Sequence, residues 1–442
     1  MEPEASGINE SSPEIGLDLE TVALVRNDVA IELSDLRRSE AVGEELEQDD
    51  EIARAEPIIW ARLDELARER ALSSLPPIAD DQELALFARV KADLFGLGGF
   101  EVYLNDPTVE NIFVNGANRV FVSRSGAEGP TRGLPIAESD DALIDLINRW
   151  AARLGRTERR FDTSNPRLDM RLPGGYRLHA IMEVTARPTV TIRCPPSRTI
   201  GLPEQIDYGT IDLVMADFLS AAVRSRCNMI VAGGTGTGKT TLLRALLLEV
   251  SSDERIITIE DTAELGIAAF DDDHPNVVEM ETRQANVEGV GQLNMMDLTR
   301  ECLRMSPDRV IIGEVRGAEA LYMLKAMSQG NDGSMCTLHA DSAEGVADRI
   351  RGYCAEGIAN IPMSVIDGFY RNAVDLVVHL RLLPDRRRVV GSIVEVEKDH
   401  AEGIRYNVLF GEQLEGIGTP QIPPSERLQR RLVNAGMTVW PW

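Results

Sequence analysis

Long apolar stretches are missing from this chain of 442 residues, and so is a basic leader followed by an apolar segment. We therefore expect neither a membrane-spanning helix nor a secretory signal, and we predict a cytoplasmic protein that reaches a membrane only through its partners. Cysteine is also rare, and the spacing of the five cysteines matches no metal-binding pair and no disulfide framework. The cysteines, which we expect to be free thiols of a reducing compartment, are Cys194, Cys227, Cys302, Cys336 and Cys354.

Basic residues are outnumbered, with 46 lysines and arginines against 72 acidic residues and a net charge of -26. Because proteins that bind nucleic acid need basic surface to displace counterions, this balance argues against nucleic acid as a partner. Residues 1–56 carry 17 acidic and 4 basic side chains, which is half of the net charge. Their composition predicts a largely disordered acidic arm over residues 1–50, with a short strand-like or helical patch between residues 21 and 33. Such an arm is either a solvated tail or a docking arm for a basic partner.

The remainder of the chain divides by its hydrophobic spacing. Apolar residues at helical spacing predict a helical segment over residues 51–99. Short strand-like runs around one helix predict an α+β domain over residues 100–195, followed by a proline-containing linker over residues 196–210. From residue 211 to 415 helices and strands alternate as in a doubly wound parallel sheet, which leaves residues 416–442 as a tail.

A glycine-rich segment carries the most specific motif. Residues 233–240 read Gly-Gly-Thr-Gly-Thr-Gly-Lys-Thr and lie between an apolar run and a helical run. This is the P-loop pattern, in which backbone N–H groups and a helix N-terminus surround phosphates. We predict that Lys239 contacts the terminal phosphates of ATP and that the Thr240 hydroxyl binds Mg²⁺. The predicted nucleotide-binding residues are Gly233, Gly234, Thr235, Gly236, Thr237, Gly238, Lys239, Thr240 and Thr241.

Two further apolar runs end in carboxylates, Glu260 and Asp261 in one and Glu314 in the other. Because the carboxyl ends of parallel strands line the ligand crevice, we expect Glu260 and Glu314 to polarise water or to bind Mg²⁺ there. The sequence does not separate their two roles. Asp261 and Glu264 have a second interpretation as helix caps. His339 follows a third such strand, so we expect it at the same crevice.

Four blocks in fixed order make this sequence resemble the type II and type IV secretion ATPases. The blocks are the P-loop and the segments 258–265, 303–319 and 330–340. Three further stretches resemble the tight-adherence (Tad, Flp pilus) assembly branch of that superfamily, namely 107–116, 281–289 and 374–396. The resemblance spans residues 50 to 400 and leaves the acidic arm outside it.

The resemblance implies a fold class and a mechanism. The expected fold is α/β, with a RecA-like P-loop core preceded by a smaller α+β domain and a helical, acidic N-terminal extension. The family implies a homohexameric ring in which ATP lies between the two domains of a protomer. Arginines of the N-terminal domain reach the phosphates, and the matching positions are Arg177 and Arg193, with Arg283 as a third candidate. Guanidinium groups suit the spread negative charge of a transferring phosphoryl group.

The predicted function is ATP hydrolysis that drives mechanical work on inner-membrane platform proteins, for Tad pilus assembly or protein secretion. A conjugation or type IV secretion ATPase, which moves DNA–protein cargo, shares every motif and stays open as an alternative. A nucleic-acid motor on the same core is disfavoured by the acidic composition. A regulator that binds ATP without hydrolysing it is disfavoured by the carboxylates that follow the strands.

Overall fold

The computed structural model describes residues 17–39, 48–125, 127, 129–154, 160–194, 200–267, 274–283, 285, 289–357, 361–398 and 403–442. The chain divides into two units, Met1–Ser197 and Arg198–Trp442, with separate hydrophobic cores. None of the helices in the described ranges is long and apolar enough to cross a membrane.

Three helices pack together at the start of the first unit, namely α1 (Leu19–Ser39), α2 (Gln48–Leu72) and α3 (Asp80–Phe95). Val22, Val25 and Val29 of α1 follow helical spacing and are buried in a core shared with α2 and α3. The prediction of a largely disordered arm over residues 1–50 is therefore wrong for most of residues 19–39, and of the two alternatives for the patch between residues 21 and 33 the helical one is confirmed. The rest of that predicted arm, residues 1–16 and 40–47, lies outside the described residues.

The first unit continues with an antiparallel sheet. Its strands are β1 (Val109–Asn115), β2 (Val120–Arg124), β3 (Thr131–Arg132), β4 (Arg167–Arg171), β5 (Arg177–Ile181) and β6 (Thr189–Arg193), in the order β3-β2-β1-β6-β5-β4. Its helices are α4 (Glu101–Leu104), which follows a short 3-10 turn, and α5 (Asp140–Leu154). One face of the sheet is buried against α5, whose Leu143, Ile147 and Trp150 are in the same core. These elements form the predicted α+β domain.

In the second unit, the described residues contain a nine-stranded sheet. Its strands are β7 (Met229–Gly233), β8 (Ile256–Glu260), β9 (Val277–Glu281), β10 (Arg309–Val315), β11 (Met335–Leu338), β12 (Leu376–Leu382), β13 (Arg388–Val396), β14 (Tyr406–Gln413) and β15 (Gly416–Pro420). The order is β15-β14-β13-β12-β7-β11-β10-β8-β9. The strands from β12 to β9 are parallel, and β13, β14 and β15 are joined antiparallel at one edge.

Helices cover both faces of this sheet. They are α6 (Leu202–Asp207), α7 (Leu213–Arg224), α8 (Lys239–Leu247), α9 (Met295–Cys302), α10 (Glu319–Ser328), α11 (Val346–Gly357), α12 (Met363–Ala373) and α13 (Glu426–Asn434). Along β7, Met229 and Val231 pack into the core with α7, α8 and α13, whereas Ile230 and Ala232 pack into the core with α9 to α12. Burial on both faces is typical of a parallel sheet in a doubly wound fold. The predicted fold class is thus confirmed.

Two predicted connecting segments are parts of the second unit. The predicted linker over residues 196–210 contains α6, whose Leu202 is buried in the core of that unit. The predicted tail over residues 416–442 contains β15 and α13, and Trp442 packs edge-on against Phe218 and Phe410. Pro203 lies in the first turn of α6, and Gly416, Gly418 and Pro420 lie in β15, so these residues did not indicate separate segments.

Candidate functional site

The P-loop connects β7 to α8 at the carboxyl edge of the sheet. Gly236 and Gly238 have φ angles of 73° and 93°, which favour glycine, and Lys239 is the first residue of α8. Gly233 has a second reason to be glycine, because a Cβ there would lie 2.6 Å from the carbonyl oxygen of Leu380. The Thr237 hydroxyl donates a 2.9 Å hydrogen bond to the Gly234 carbonyl, which closes the loop on itself.

The other predicted nucleotide-binding threonines lie around this loop. Thr235 is exposed at its tip, whereas Thr240 and Thr241 are half-buried in the first turn of α8. Hydroxyls and N–H groups in the first turn of a helix that follows a P-loop are suited to bind phosphate and Mg²⁺. The placement of Thr240 next to Lys239 is thus compatible with its predicted role.

Lys239 is held at the centre of the site, with 8% of its surface exposed. Its Nζ donates a 2.8 Å hydrogen bond to the Gly234 carbonyl and lies 3.4 Å from Nδ1 of His339. Burial lowers the pKa of Lys239, and the negative charge of Glu314 opposes that effect. The ammonium group therefore has local partners that a phosphate can replace.

His339 lies between Lys239 and Glu314. Its Nε2 is 2.8 Å from Oε1 of Glu314, and its Nδ1 faces the lysine. Because an ammonium group only donates hydrogen bonds, Nδ1 acts as the acceptor, which places the ring proton of a neutral imidazole on Nε2, the nitrogen that faces Glu314. Burial lowers the pKa of His339, Lys239 lowers it further, and Glu314 opposes both. A neutral imidazole agrees with this hydrogen-bond pattern.

The strand order explains why these three side chains meet. His339 directly follows β11, which lies between β7 and β10, and Glu314 lies near the end of β10. Their parallel strands all end at the edge of the sheet where the P-loop begins. The sequence analysis expected both residues at this crevice, and the structure brings both of them to Lys239.

The turn after β10 fixes the direction of Glu314. Arg316 places Nη2 2.5 Å from Oε2 of Glu314. The buried carboxylate of Glu319, in the first turn of α10, accepts hydrogen bonds from the backbone N–H groups of Arg316 at 2.6 Å and Gly317 at 2.9 Å. The sequence analysis did not select Arg316 or Glu319. Glu319 could have been selected from the sequence, because a carboxylate at the start of a helix, two residues after the glycine that follows a strand, often accepts hydrogen bonds from backbone N–H groups.

Glu260 has a different environment from Glu314. Its side chain is 3% exposed, and Oε1 accepts hydrogen bonds from the backbone N–H groups of Glu264 at 2.8 Å and Leu265 at 3.1 Å. It also packs on β10, since a Cβ at Gly313 would lie 2.7 Å from Cγ of Glu260. Glu260 thus stabilises the loop that follows its own strand, whereas Glu314 contacts His339 beside the P-loop lysine.

Asp261 lies in the same loop and is anchored to the end of β9. Its backbone carbonyl and its carboxylate each accept a 2.9 Å hydrogen bond from the Thr282 hydroxyl. Asp261 and Thr282 both belong to the second unit. The carboxylates of Glu260 and Asp261 thus bind the first residues after β8 to their own strand and to the end of β9.

Arg177 and Arg193 lie in the first unit, at directly opposed positions of β5 and β6. Arg171 of β4 opposes Arg177 on its other side, so the three arginines form one row across the sheet. Opposed residues of an antiparallel pair point to the same face, and like charges in that arrangement repel one another. The structure therefore brings the two predicted arginines together in a row of positive charge that can attract phosphates.

Arg283 follows β9 and pairs by its backbone with Leu293. Four strand spacings separate β9 from β7 in the sheet order, which is about 19 Å at the usual spacing of neighbouring strands. Arg283 therefore does not reach the P-loop of its own chain across that sheet. A role at a phosphate requires the P-loop of another copy, and that role stays a prediction.

A model of the family described as type II/IV secretion system protein matches residues 96–387. This chain belongs to that family. The family-level prediction is thus confirmed, and assignment to the Tad branch stays a prediction. The match covers the α+β domain of the first unit and the second unit as far as the start of β13.

Relatives of this secretion-family chain include conjugal transfer proteins. It is 33% identical over 334 residues to a putative conjugal transfer protein of Mycobacterium tuberculosis (strain ATCC 25618 / H37Rv), covering 74% of this chain and 91% of that protein. It is 32% identical over 311 residues to the conjugal transfer protein TrbB of Rhizobium radiobacter, covering 69% and 88%. It is also 30% identical over 321 residues to the type IV secretion system protein VirB11 of Brucella suis biovar 1, covering 65% and 84%.

Solved structures of this kind are also similar to the chain. The VirB11 ATPase from the Brucella suis type IV secretion system, in complex with sulphate, is 27% identical, with 72% of this chain and 98% of that chain covered and a TM-score of 0.35. The pilus retraction motor PilT with bound ADP is 17% identical, with 76% and 86% covered and a TM-score of 0.47. The fold assignment of this chain therefore depends on its own sheet order and on its family.

Proposed function

We propose that this protein is an ATPase of a conjugation-type or type IV secretion machine. The observation that carries the proposal is the line of side chains from Lys239 through His339 to Glu314, formed at the carboxyl ends of neighbouring parallel strands beside a P-loop. This line combines a phosphate-binding cation with a carboxylate suited to orient water. ATP hydrolysis requires both.

The residues of the site suggest how each of them acts. On ATP binding, the Lys239 ammonium exchanges the Gly234 carbonyl for the terminal phosphates. Glu314 orients the attacking water and accepts its proton, and the neutral His339, whose Nε2 lies 2.8 Å from Oε1 of Glu314, holds the carboxylate in position without giving up a proton. Glu260 keeps the neighbouring loop in place. This division of labour separates the two carboxylates by their contacts.

Magnesium fits this site. The Thr240 hydroxyl lies in the first turn of α8, and the Glu314 carboxylate, 23% exposed, lies 2.8 Å from the His339 ring that faces Lys239, so it can take part through water. When bound with ATP, Mg²⁺ neutralises charge on the phosphates. Glu260, whose oxygens are hydrogen-bonded to backbone N–H groups, is the weaker of the predicted metal-site residues.

We infer that the active form is a homohexameric ring, as the family resemblance implies, and that Arg177 and Arg193 complete the phosphate site. Their opposed positions on two strands support this role, because two neighbouring guanidinium groups can share one phosphate group. The ring is proposed to act in the cytoplasm on inner-membrane platform proteins. Turnover then depends on assembly and on closure of the N-terminal domain over the nucleotide.

The similar proteins indicate which type of secretion machine this ATPase serves. Conjugal transfer and VirB11 proteins match most of the chain at 30% identity or more, which favours the conjugation or type IV secretion alternative over Tad pilus assembly. The Tad interpretation keeps its support from the stretches 107–116, 281–289 and 374–396. The cargo is therefore proposed to be a DNA–protein complex or a secreted protein, with pilin as the second candidate.

The first test is ATP hydrolysis across a protein concentration series, with the mass of the same samples measured. We expect specific activity to rise as a six-fold species forms and Lys239→Ala to abolish it. Lys325→Ala is the matched control, because Lys325 contacts the ring of Tyr322 on α10 instead of the P-loop. A monomer that hydrolyses ATP at full rate contradicts the ring, and absence of hydrolysis at all concentrations contradicts the enzyme. Hydrolysis that does not change on addition of DNA would remove the rival nucleic-acid motor.

Sharing of sites between subunits has its own test. In a mixture of the two variants, Arg177→Ala subunits supply intact P-loops and Lys239→Ala subunits supply intact arginines. The two parts form a complete site only if the arginine of one subunit acts at the P-loop of its neighbour. Partial recovery of hydrolysis in the mixture is then expected. Activity no higher than the sum of the two inactive variants contradicts completion by a neighbour.

A further inference from the structure

The hairpin between β12 and β13 lies against the P-loop. β12 is the parallel neighbour of β7, with Leu380 opposite Gly233. Arg388, the first residue of β13, donates a 2.9 Å hydrogen bond from Nε to the Gly236 carbonyl. Its Cδ is also the nearest neighbour, at 3.4 Å, of a Cβ built on Gly238. An arginine from a different strand thus contacts the outer side of the phosphate loop.

We propose that Arg388 is a positioning residue of the phosphate site, which fixes the Gly236–Thr237 peptide so that the Thr237 N–H group points into the loop. The inference rests on the proposed ATP-binding function of the P-loop. In a planar trans peptide the C=O and N–H groups point in opposite directions. With the Gly236 carbonyl held outward by Arg388, the Thr237 N–H group points inward, where it can donate to a phosphate.

This peptide needs an external anchor. A Cβ at Gly236 would meet no atom within 4 Å, so side-chain packing does not restrain the loop at that position. Glycine also lowers the cost of rotating the peptide, because it adopts positive and negative φ angles with similar ease. The hydrogen bond from Arg388 is therefore the contact that selects one orientation. Thr237 is anchored from the other side by its hydroxyl on the Gly234 carbonyl.

The neighbouring arginine has a different role. Arg387 binds the carboxylate of Asp385 at 2.7 Å and the carbonyl of Glu415 at 3.1 Å, so its contacts belong to the hairpin itself. Arg388 makes no other hydrogen bond within the described part of the chain. Replacement of Arg387 thus removes the same charge from the same hairpin without releasing the Gly236 carbonyl, which makes it a matched control.

The test measures binding of a fluorescent ADP analogue to the full-length protein and its Arg388→Ala, Arg388→Lys and Arg387→Ala variants. We expect Arg388→Ala to weaken binding about tenfold, the size expected for loss of one hydrogen bond to a charged donor. Lysine can donate to the same carbonyl, so Arg388→Lys should restore affinity to within about threefold. Arg387→Ala should bind like the wild type. The unfolding midpoint without nucleotide should be equal for all four proteins.

The outcomes are distinguishable. Wild-type affinity in Arg388→Ala overturns the inference. Weakened binding in Arg388→Ala that Arg388→Lys fails to restore also overturns it, because that pattern indicates that the guanidinium group itself recognises the nucleotide. A wild-type protein that binds no ADP analogue contradicts the proposed function itself. Loss of affinity in Arg388→Ala with rescue by lysine and no change in the control supports the inference.

Discussion

Replacing Glu260 and Glu314 one at a time should separate a structural carboxylate from a catalytic one. Glu260→Ala removes the acceptor for the backbone N–H groups of Glu264 and Leu265. A buried donor left without a partner costs about 1–3 kcal/mol, so the free energy of unfolding of the second unit should fall by about 3 kcal/mol. For a unit of this size that lowers the melting temperature by roughly 10 °C.

Glu314→Ala should behave differently. The carboxylate of Glu314 is 23% exposed and its partners are the side chains of Arg316 and His339, of which Arg316 is 65% exposed. Exposed ion pairs contribute about 0–1 kcal/mol, so the free energy of unfolding should change by less than about 1 kcal/mol. Turnover should fall at least about a hundredfold, the lower range for loss of a general base.

The assay combines denaturant unfolding without nucleotide and ATP hydrolysis on Glu260→Gln, Glu260→Ala, Glu314→Gln and Glu314→Ala. Glutamine at position 260 retains an oxygen that accepts the same N–H groups, so we expect most of the stability and turnover to remain. Glutamine at position 314 cannot take a proton from water and should be inactive. Wild-type stability in Glu260→Ala, or complete loss of turnover in Glu260→Gln with stability intact, would refute the reasoning.

Three further predictions follow from the same contacts. Because the pKa of His339 is lowered from its usual value of 6.5, protonation of this residue favours the unfolded state, so stability and ATPase activity should decline as pH falls below 6.5; a pH profile of His339→Gln that keeps this limb contradicts the assignment. Glu319→Ala should reduce turnover while leaving the affinity for the ADP analogue unchanged, since it releases the turn that carries Glu314; weakened binding counts against it. Asp375→Ala should cost about 3–5 kcal/mol and expose the C-terminal helix to protease, because it removes the buried carboxylate that Lys398 at 3.3 Å and Arg431 at 3.1 Å share; a protease-resistant tail disproves it.

The pH dependence of the Asp375 contact has a definite sign. Burial raises the pKa of this carboxyl group, but Lys398 and Arg431 outweigh burial, and the net pKa lies below its usual value of 3.8. A carboxyl group with a lowered pKa in the folded state contributes stability above the unfolded value. That stability is lost as pH falls through the lowered pKa. The C-terminal helix should thus stay attached at neutral pH and detach only in strong acid.

Some expectations failed where composition and pattern disagreed. On α1 the valines at positions 22, 25 and 29 have helical spacing, but the surrounding acidic residues led to the prediction of only a short patch of structure in a largely disordered arm. β4 and β9 lie at sheet edges and carry charged side chains, so their own composition gives little indication of a strand. Edge strands are specified by pairing with a neighbour more than by their own composition, and that pairing is a tertiary property.

The sequence by itself determined the local parts of this protein. A strand, a P-loop and a helix in succession are encoded within 20 residues, because glycine conformations and helix initiation depend on neighbours in the chain. The parallel strands that end in Glu260, Glu314 and His339 were also predictable from their apolar runs, and the family placed them in one site. The strand order was not encoded locally.

Only the tertiary structure decided which of these residues contact one another. Because β11 lies between β7 and β10, His339 reaches both Lys239 and Glu314, whereas Glu260, one strand further along, binds its own loop. The hairpin that brings Arg388 to the Gly236 carbonyl is about 150 residues away in the chain. Contacts between distant segments depend on which strands become neighbours, and that choice is made by packing of the whole sheet.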